Sequence, residues 1–112
     1  MNLLTSPQVS ELFFDTDDAG HDNTWDVTEP PASAYMNAVR LVDTYLGTVF
    51  STIDNTPALA GRTAIVLSAD HGGPATAGVH NDPAEPQNYT IPFYVWGAGV
   101  TPGDLYALNG AS

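Results

Sequence analysis

Apolar residues fall into four patterned runs, separated by polar, proline-rich or glycine-rich stretches. The longest extends from Ala34 to about Ile53. Within it Tyr35, Ala38, Val39, Val42, Tyr45, Leu46, Val49 and Phe50 recur at i, i+3, i+4 and i+7. That spacing predicts a helix with one broad apolar stripe. Ser33 stands where an N-cap is expected, because a hydroxyl there can accept one of the first unpaired amide protons. The paired prolines of "VTEPPAS" forbid helix upstream, and Pro57 and Gly61 in "DNTPALAGR" end it downstream.

Three shorter runs predict strands. "VSELFF", residues 9–14, carries Val9, Leu12, Phe13 and Phe14 and reads as a buried strand feeding a polar loop. "TAIVLSA", residues 63–69, is apolar without alternation, as in a parallel strand covered on both faces. "YTIPFYVWG", residues 89–97, contains Pro92, which has no amide to donate and so points to an edge position or an irregularity. Strand, helix, strand, loop, strand is the order of an α/β fold, with largely parallel strands and crossover helices expected.

Length and composition narrow the function. The 112 residues allow one domain with a modest core,, and a hydrophobic content of 43% argues against disorder,. Thirteen acids face two bases, Arg40 and Arg62, for a formal net charge of −11. No basic cluster exists to displace counterions from phosphates, so a nucleic acid is not an expected partner. Without cysteine, disulfides and thiolate-held zinc are excluded,. No apolar run approaches the roughly 20 residues that span a bilayer. "MNLLTSPQVS" has neither the basic nor the apolar region of a signal peptide.

The residues with chemical potential sit after predicted strands, where α/β sheets bind ligands. "DTDDAGHDNTWD", residues 15–26, packs Asp15, Asp17, Asp18, Asp22 and Asp26 around His21. Asp17 and His21 are four apart, a spacing that lets a carboxylate and an imidazole reach one ion across a single turn. Asp70 and His71 follow the second strand as "DHGG". Adjacent strand residues point to opposite faces, so these two can share an ion only if the backbone turns, and Gly72 and Gly73 are read as supplying that freedom. His80 is the third and last histidine. A calcium-stabilised, non-catalytic binding module built on the 15–26 loop is the rival reading. As an EF-hand loop, however, the stretch has Ala19 at position five and Asp26 rather than Glu at position twelve, and prolines follow where the exiting helix should begin.

Taken together, these residues resemble the metal-binding part of the alkaline phosphatase superfamily, nearest its type I phosphodiesterase and nucleotide pyrophosphatase branch. "FFDTDDAGH" is similar to that family's strand followed by D-x-x-G-H. "TAIVLSADHGG" is similar to its T-x-x-x-x-(S/T)-x-D-H-G strand end, and "NYTIPFYVWGAGV" to the strand after the distal histidine. The helix with "VDTYLGTVF" occupies the expected place between the two Asp/His motifs, and the likeness runs from about residue 9 to residue 108.

The resemblance implies a partial alkaline-phosphatase-like sheet. It also implies two divalent ions, zinc first, serving a hydrolase of phosphate or sulfate esters with a small anionic substrate. Carried over, Asp17 and His21 would hold one ion with His80 as distal ligand, and Asp70 and His71 would hold the other. The superfamily also uses a further aspartate and a Ser or Thr nucleophile well upstream of D-x-x-x-H. Thr5 and Ser6 are not assigned that role. The expectation is therefore a fragment of a single catalytic domain, residues 1–112, lacking its N-terminal half and C-terminal end and inactive alone. By analogy only, an extracytoplasmic setting is favoured.

Other features take plainer readings. Trp25 and Trp96 are expected to be packing residues, and Asp22, Asp26, Asp43 and Asp54 surface charges. Asn88 in "NYT" fits a glycosylation acceptor.

Overall fold

The computed structural model describes residues 10–14, 19–20, 25–27, 33–74 and 79–108. Helix α1 spans Ala34–Asn55, about 33 Å at 1.5 Å per residue. The Ser33 hydroxyl oxygen accepts the Met36 amide at 3.1 Å and donates its own proton to the Asp26 carbonyl at 2.6 Å. The cap therefore also ties the start of α1 to the end of the acidic stretch. Tyr35, Ala38, Val39, Val42, Leu46, Val49, Phe50 and Ile53 are half-buried along the face that the periodicity predicts, whereas Tyr45, expected in the same stripe, is exposed at its margin. On the opposite side Thr44, Thr48 and Thr52 return their hydroxyls to carbonyls four residues back, at 3.0, 3.3 and 2.8 Å.

Strands β1 (Ala64–Ser68) and β2 (Phe93–Gly97) form a two-stranded sheet. They run antiparallel, with Ile65 opposite Trp96, Val66 opposite Val95 and Leu67 opposite Tyr94. This corrects the parallel arrangement expected for the apolar run at 63–69. The run is also not covered on both faces by the described residues. Ile65 and Leu67 are half-buried, whereas Val66 is 62% exposed. An apolar pentapeptide has no local feature that sets the direction of its partner. That direction is decided by the returning chain of residues 69–92, which contains no crossover helix among its described residues.

Pro92 stands one residue before β2. Its missing amide is outside the ladder there, and its carbonyl accepts the Ser68 hydroxyl at 3.1 Å. Gly97 turns the chain out of β2 with φ +108, and a Cβ at that position would crowd the Thr63 carbonyl,. A short helix α2, Leu105–Leu108, follows, with the Asp104 carboxylate accepting the Tyr106 amide at 2.9 Å.

Residues 10–14, expected as part of a buried strand, are not in one. Leu12 and Phe13 are exposed, while Phe14 stacks on Tyr45 at 5.8 Å. A strand exists only when another pairs with it, and among the described residues none lies alongside. Phe50 meets Trp96 at 4.8 Å and joins α1 to the sheet. The radius of gyration is 17.4 Å, against about 13 Å for a compact chain of this length. Among the described residues the buried hydrophobic core is Trp25, at 6% exposure, and no side chain is fully buried. Among them, no helix is long and apolar enough to cross a membrane.

Candidate metal centre

β1 delivers the chain to Asp70 and His71. The Asp70 Oδ1 accepts the His71 amide at 3.0 Å, which orients the carboxylate. Its Oδ2 lies 3.7 Å from His71 Nε2, too far for a hydrogen bond. His71 Nδ1 is 2.8 Å from the Gly72 carbonyl oxygen. A carbonyl only accepts, so Nδ1 carries the proton and Nε2 of the neutral ring keeps its lone pair. That pair therefore points away from the backbone, the arrangement in which a metal-binding histidine is held by its other nitrogen.

Ligand distances of roughly 2.0–2.1 Å from each atom would span the 3.7 Å between them,. Nitrogen and carboxylate donors suit zinc, so Asp70 and His71 fit the implied group in both chemistry and spacing.

His80 lies face to face with His71, ring centroids 3.6 Å apart and planes 15° from parallel. An imidazole lone pair lies in its ring plane, so two stacked rings do not converge on one ion. Each can serve its own, and paired-metal centres hold their ions about 3.5–4 Å apart.

Trp25 stands edge-on to both rings, 6.5 Å from His71 and 5.8 Å from His80. Its indole is also hemmed in by Gly20 and Gly73, where an added Cβ would overlap it. Gly20 belongs to the acidic stretch and Gly73 to "DHGG", so one buried ring brings both motif segments and His80 together. The expectation that Trp25 is a packing residue holds, at the centre of the site rather than away from it.

Asp17 and His21 lie outside the described residues. Among the described ones, no group of three His, Asp or Glu side chains is placed to hold one ion. Asp70 and His71 are brought together there, with His80 against the His71 ring.

Gly72 and Gly73 serve differently from expectation. Neither has a positive φ. What matters is close approach. A Cβ on Gly72 would overlap the Gln87 carbonyl oxygen and come within 2.7 Å of that of Thr90. Gly72→Ala is therefore expected to destabilise the chain by about 2–3 kcal/mol. Gly47→Ala, mid-helix with nothing within 4 Å of the new methyl, should stabilise it by about 1 kcal/mol. Urea denaturation of the two variants gives opposite shifts if the packing is as described, and equal shifts if it is not.

Asn88 was not legible as a site residue. It is 7% exposed, and its side-chain amide donates to the Asp82 carbonyl at 2.7 Å. That burial does not suit the glycosylation acceptor which "NYT" suggests, because the folded chain hides the nitrogen. Nothing in the sequence distinguishes a buried asparagine from a surface one.

The family model described as Sulfatase matches residues 5–109. Two curated relatives share the name GPI ethanolamine phosphate transferase 1. The protein from Neurospora crassa is 36% identical over 87 residues, 78% of this chain and 8% of that one. The protein from Emericella nidulans is 32% identical over 83 residues, 74% of this chain and 9% of that one. The chain thus spans less than a tenth of the relatives it matches. Both carry a transferase name, and neither is named a phosphodiesterase or a nucleotide pyrophosphatase. No solved structure matches the chain.

Proposed function

The chain belongs to the sulfatase family, within the alkaline phosphatase superfamily, and on that premise we propose that it supplies ligands to a two-ion, zinc-preferring centre that cleaves or transfers phosphate esters. Phosphate is favoured over sulfate because both relatives are named for ethanolamine phosphate transfer. The observation that carries the reading is the pair at the end of β1. The Asp70 Oδ2 and His71 Nε2 lie 3.7 Å apart, and His71 Nδ1 is engaged by the Gly72 carbonyl.

Bound divalent ions would activate an attacking oxygen, stabilise the departing one and offset charge on the transferred group. Asp70 and His71 would hold one such ion, and Asp17, His21 and His80 the other. Trp25 shields one side of both imidazoles from water. The cations also let so acidic a chain meet an anionic substrate.

In this reading the residues of the site supply ion ligands and no nucleophile, so ion binding without ester turnover is the proposal for this chain. Isothermal titration with zinc, followed by phosphodiester and sulfate-ester assays on the loaded chain, tests both parts. Saturable zinc binding without turnover is expected. Absence of zinc binding overturns the centre, and robust turnover that survives Thr5→Ala and Ser6→Ala overturns the inactivity.

A further inference from the structure

Asn88 closes a ring of contacts around the two imidazoles. It is the last residue of a 3₁₀ turn, Pro86–Asn88, and among the described residues it is the buried polar side chain. Its neighbours Gln87 and Tyr89 are exposed, so burial here is particular to this position. The side-chain nitrogen donates to the Asp82 carbonyl at 2.7 Å, two residues beyond His80. The main-chain oxygen accepts the Gly72 amide at 2.8 Å, one residue beyond His71. The carbonyl of the same Gly72 engages His71 Nδ1, also at 2.8 Å. Asn88 thus bonds the residue whose carbonyl supports the His71 ring and holds Asp82 two residues beyond His80, and the His71–His80 stack at 3.6 Å completes the circuit.

We infer that Asn88 is a positioning residue: by tying Asp82 on one side and Gly72 on the other, it sets the face-to-face stacking of His80 on His71. The two links differ in kind. The tie to Gly72 runs through the main chain and survives any side-chain replacement. The direct tie to Asp82 runs through the amide nitrogen; the main-chain route through Glu85, whose amide donates to the Asp82 carbonyl at 3.2 Å and whose carbonyl accepts the Asn88 amide at 3.1 Å, remains, so substitution loosens the His80 side alone. The Oδ1 atom finds no hydrogen-bond partner among the described residues. Side-chain bonding at Asn88 therefore rests on the nitrogen, the atom that Asn88→Asp removes without changing the shape of the group. The same substitution sets a carboxylate against the Asp82 carbonyl, where two acceptors repel.

The inference concerns the rings themselves. Its consequence for ion binding rests on the metal centre proposed above, and the test keeps the two apart. In the metal-free full chain, proton NMR reads the stacking directly, because each imidazole shifts the resonances of the other. Asn88→Ala and Asn88→Asp are expected to lose those ring shifts for both histidines, while the Gly72 amide keeps its protection from hydrogen exchange and the helical circular dichroism is unchanged. Zinc titration of the same variants is expected to show affinity about 10–100-fold lower.

Ring shifts that persist in both variants overturn the inference. Loss of the fold in both overturns it equally, because Asn88 would then act on the whole chain rather than on the pair. If the wild-type chain binds no zinc but the ring shifts behave as stated, the metal reading fails and the positioning role stands.

Discussion

His71→Ala is expected to weaken zinc binding by about 100-fold or more, since removing even a residue that only supports a ligand costs roughly 10–100-fold. The side chain offers a single lone pair, and the proton on Nδ1, held by the Gly72 carbonyl, directs it outward. Asp70→Asn should also weaken zinc, by removing the charge while leaving an oxygen beside Nε2. His21→Ala should do so independently through the other ion. Zinc stabilises the folded chain in proportion to its affinity, so thermal unfolding with and without the metal gives the same answer by another route. Zinc should raise the midpoint of the wild type, and raise that of His71→Ala by less, since only the other ion remains. The calcium module makes the opposite claim. There the ion sits among the aspartates of residues 15–26, and loss of His71 leaves binding untouched. An unchanged zinc affinity in His71→Ala would remove the centre proposed here.

The second large effect is expected at Trp25. Truncating a buried tryptophan to alanine costs about 3–5 kcal/mol, and this site belongs at the upper end. The indole is 6% exposed, and its near neighbours include Gly20 and Gly73, which have no side chains to relax into the space left behind. Trp25→Ala should therefore lower the urea midpoint by most of what a chain of marginal stability possesses, and separate the acidic stretch from "DHGG". Trp25→Phe keeps an aromatic face and should lose less. Trp96 remains in both variants as a fluorescent reporter of unfolding. A Trp25→Ala chain within about 1 kcal/mol of wild type would show that the ring is not the core of the site.

These two effects differ in how far they could be read from the residues alone. His71 stood out because a histidine after an apolar run, flanked by aspartate and glycine, is an unusual combination of types. Trp25 did not, because nothing local separates a tryptophan that fills a site from one that fills any other space. The same holds for Asn88, whose neighbours in sequence are exposed and whose burial comes from the approach of Gly72. The glycines of "DHGG" were correctly singled out but for a different reason. Their value lies in the absence of a Cβ near the Gln87 carbonyl and the Trp25 ring, which only the approach of those groups reveals.

Helix α1 was determined by the sequence itself, from its Ser33 cap to its half-buried stripe, because helical hydrogen bonds close within a few residues and the 3.6-residue period is written locally. The places of β1 and β2, the Asp/His motifs and the family likeness were likewise present in the linear order. Tertiary structure decided the rest: the antiparallel pairing, the exposure of Val66, the lack of a strand at residues 10–14, and the meeting of Trp25, His71 and His80. A strand's direction and burial depend on a partner that arrives from some two dozen residues away,. The stacked imidazoles depend in the same way on the returning loop that carries His80 and on the Asn88 amide that holds Asp82.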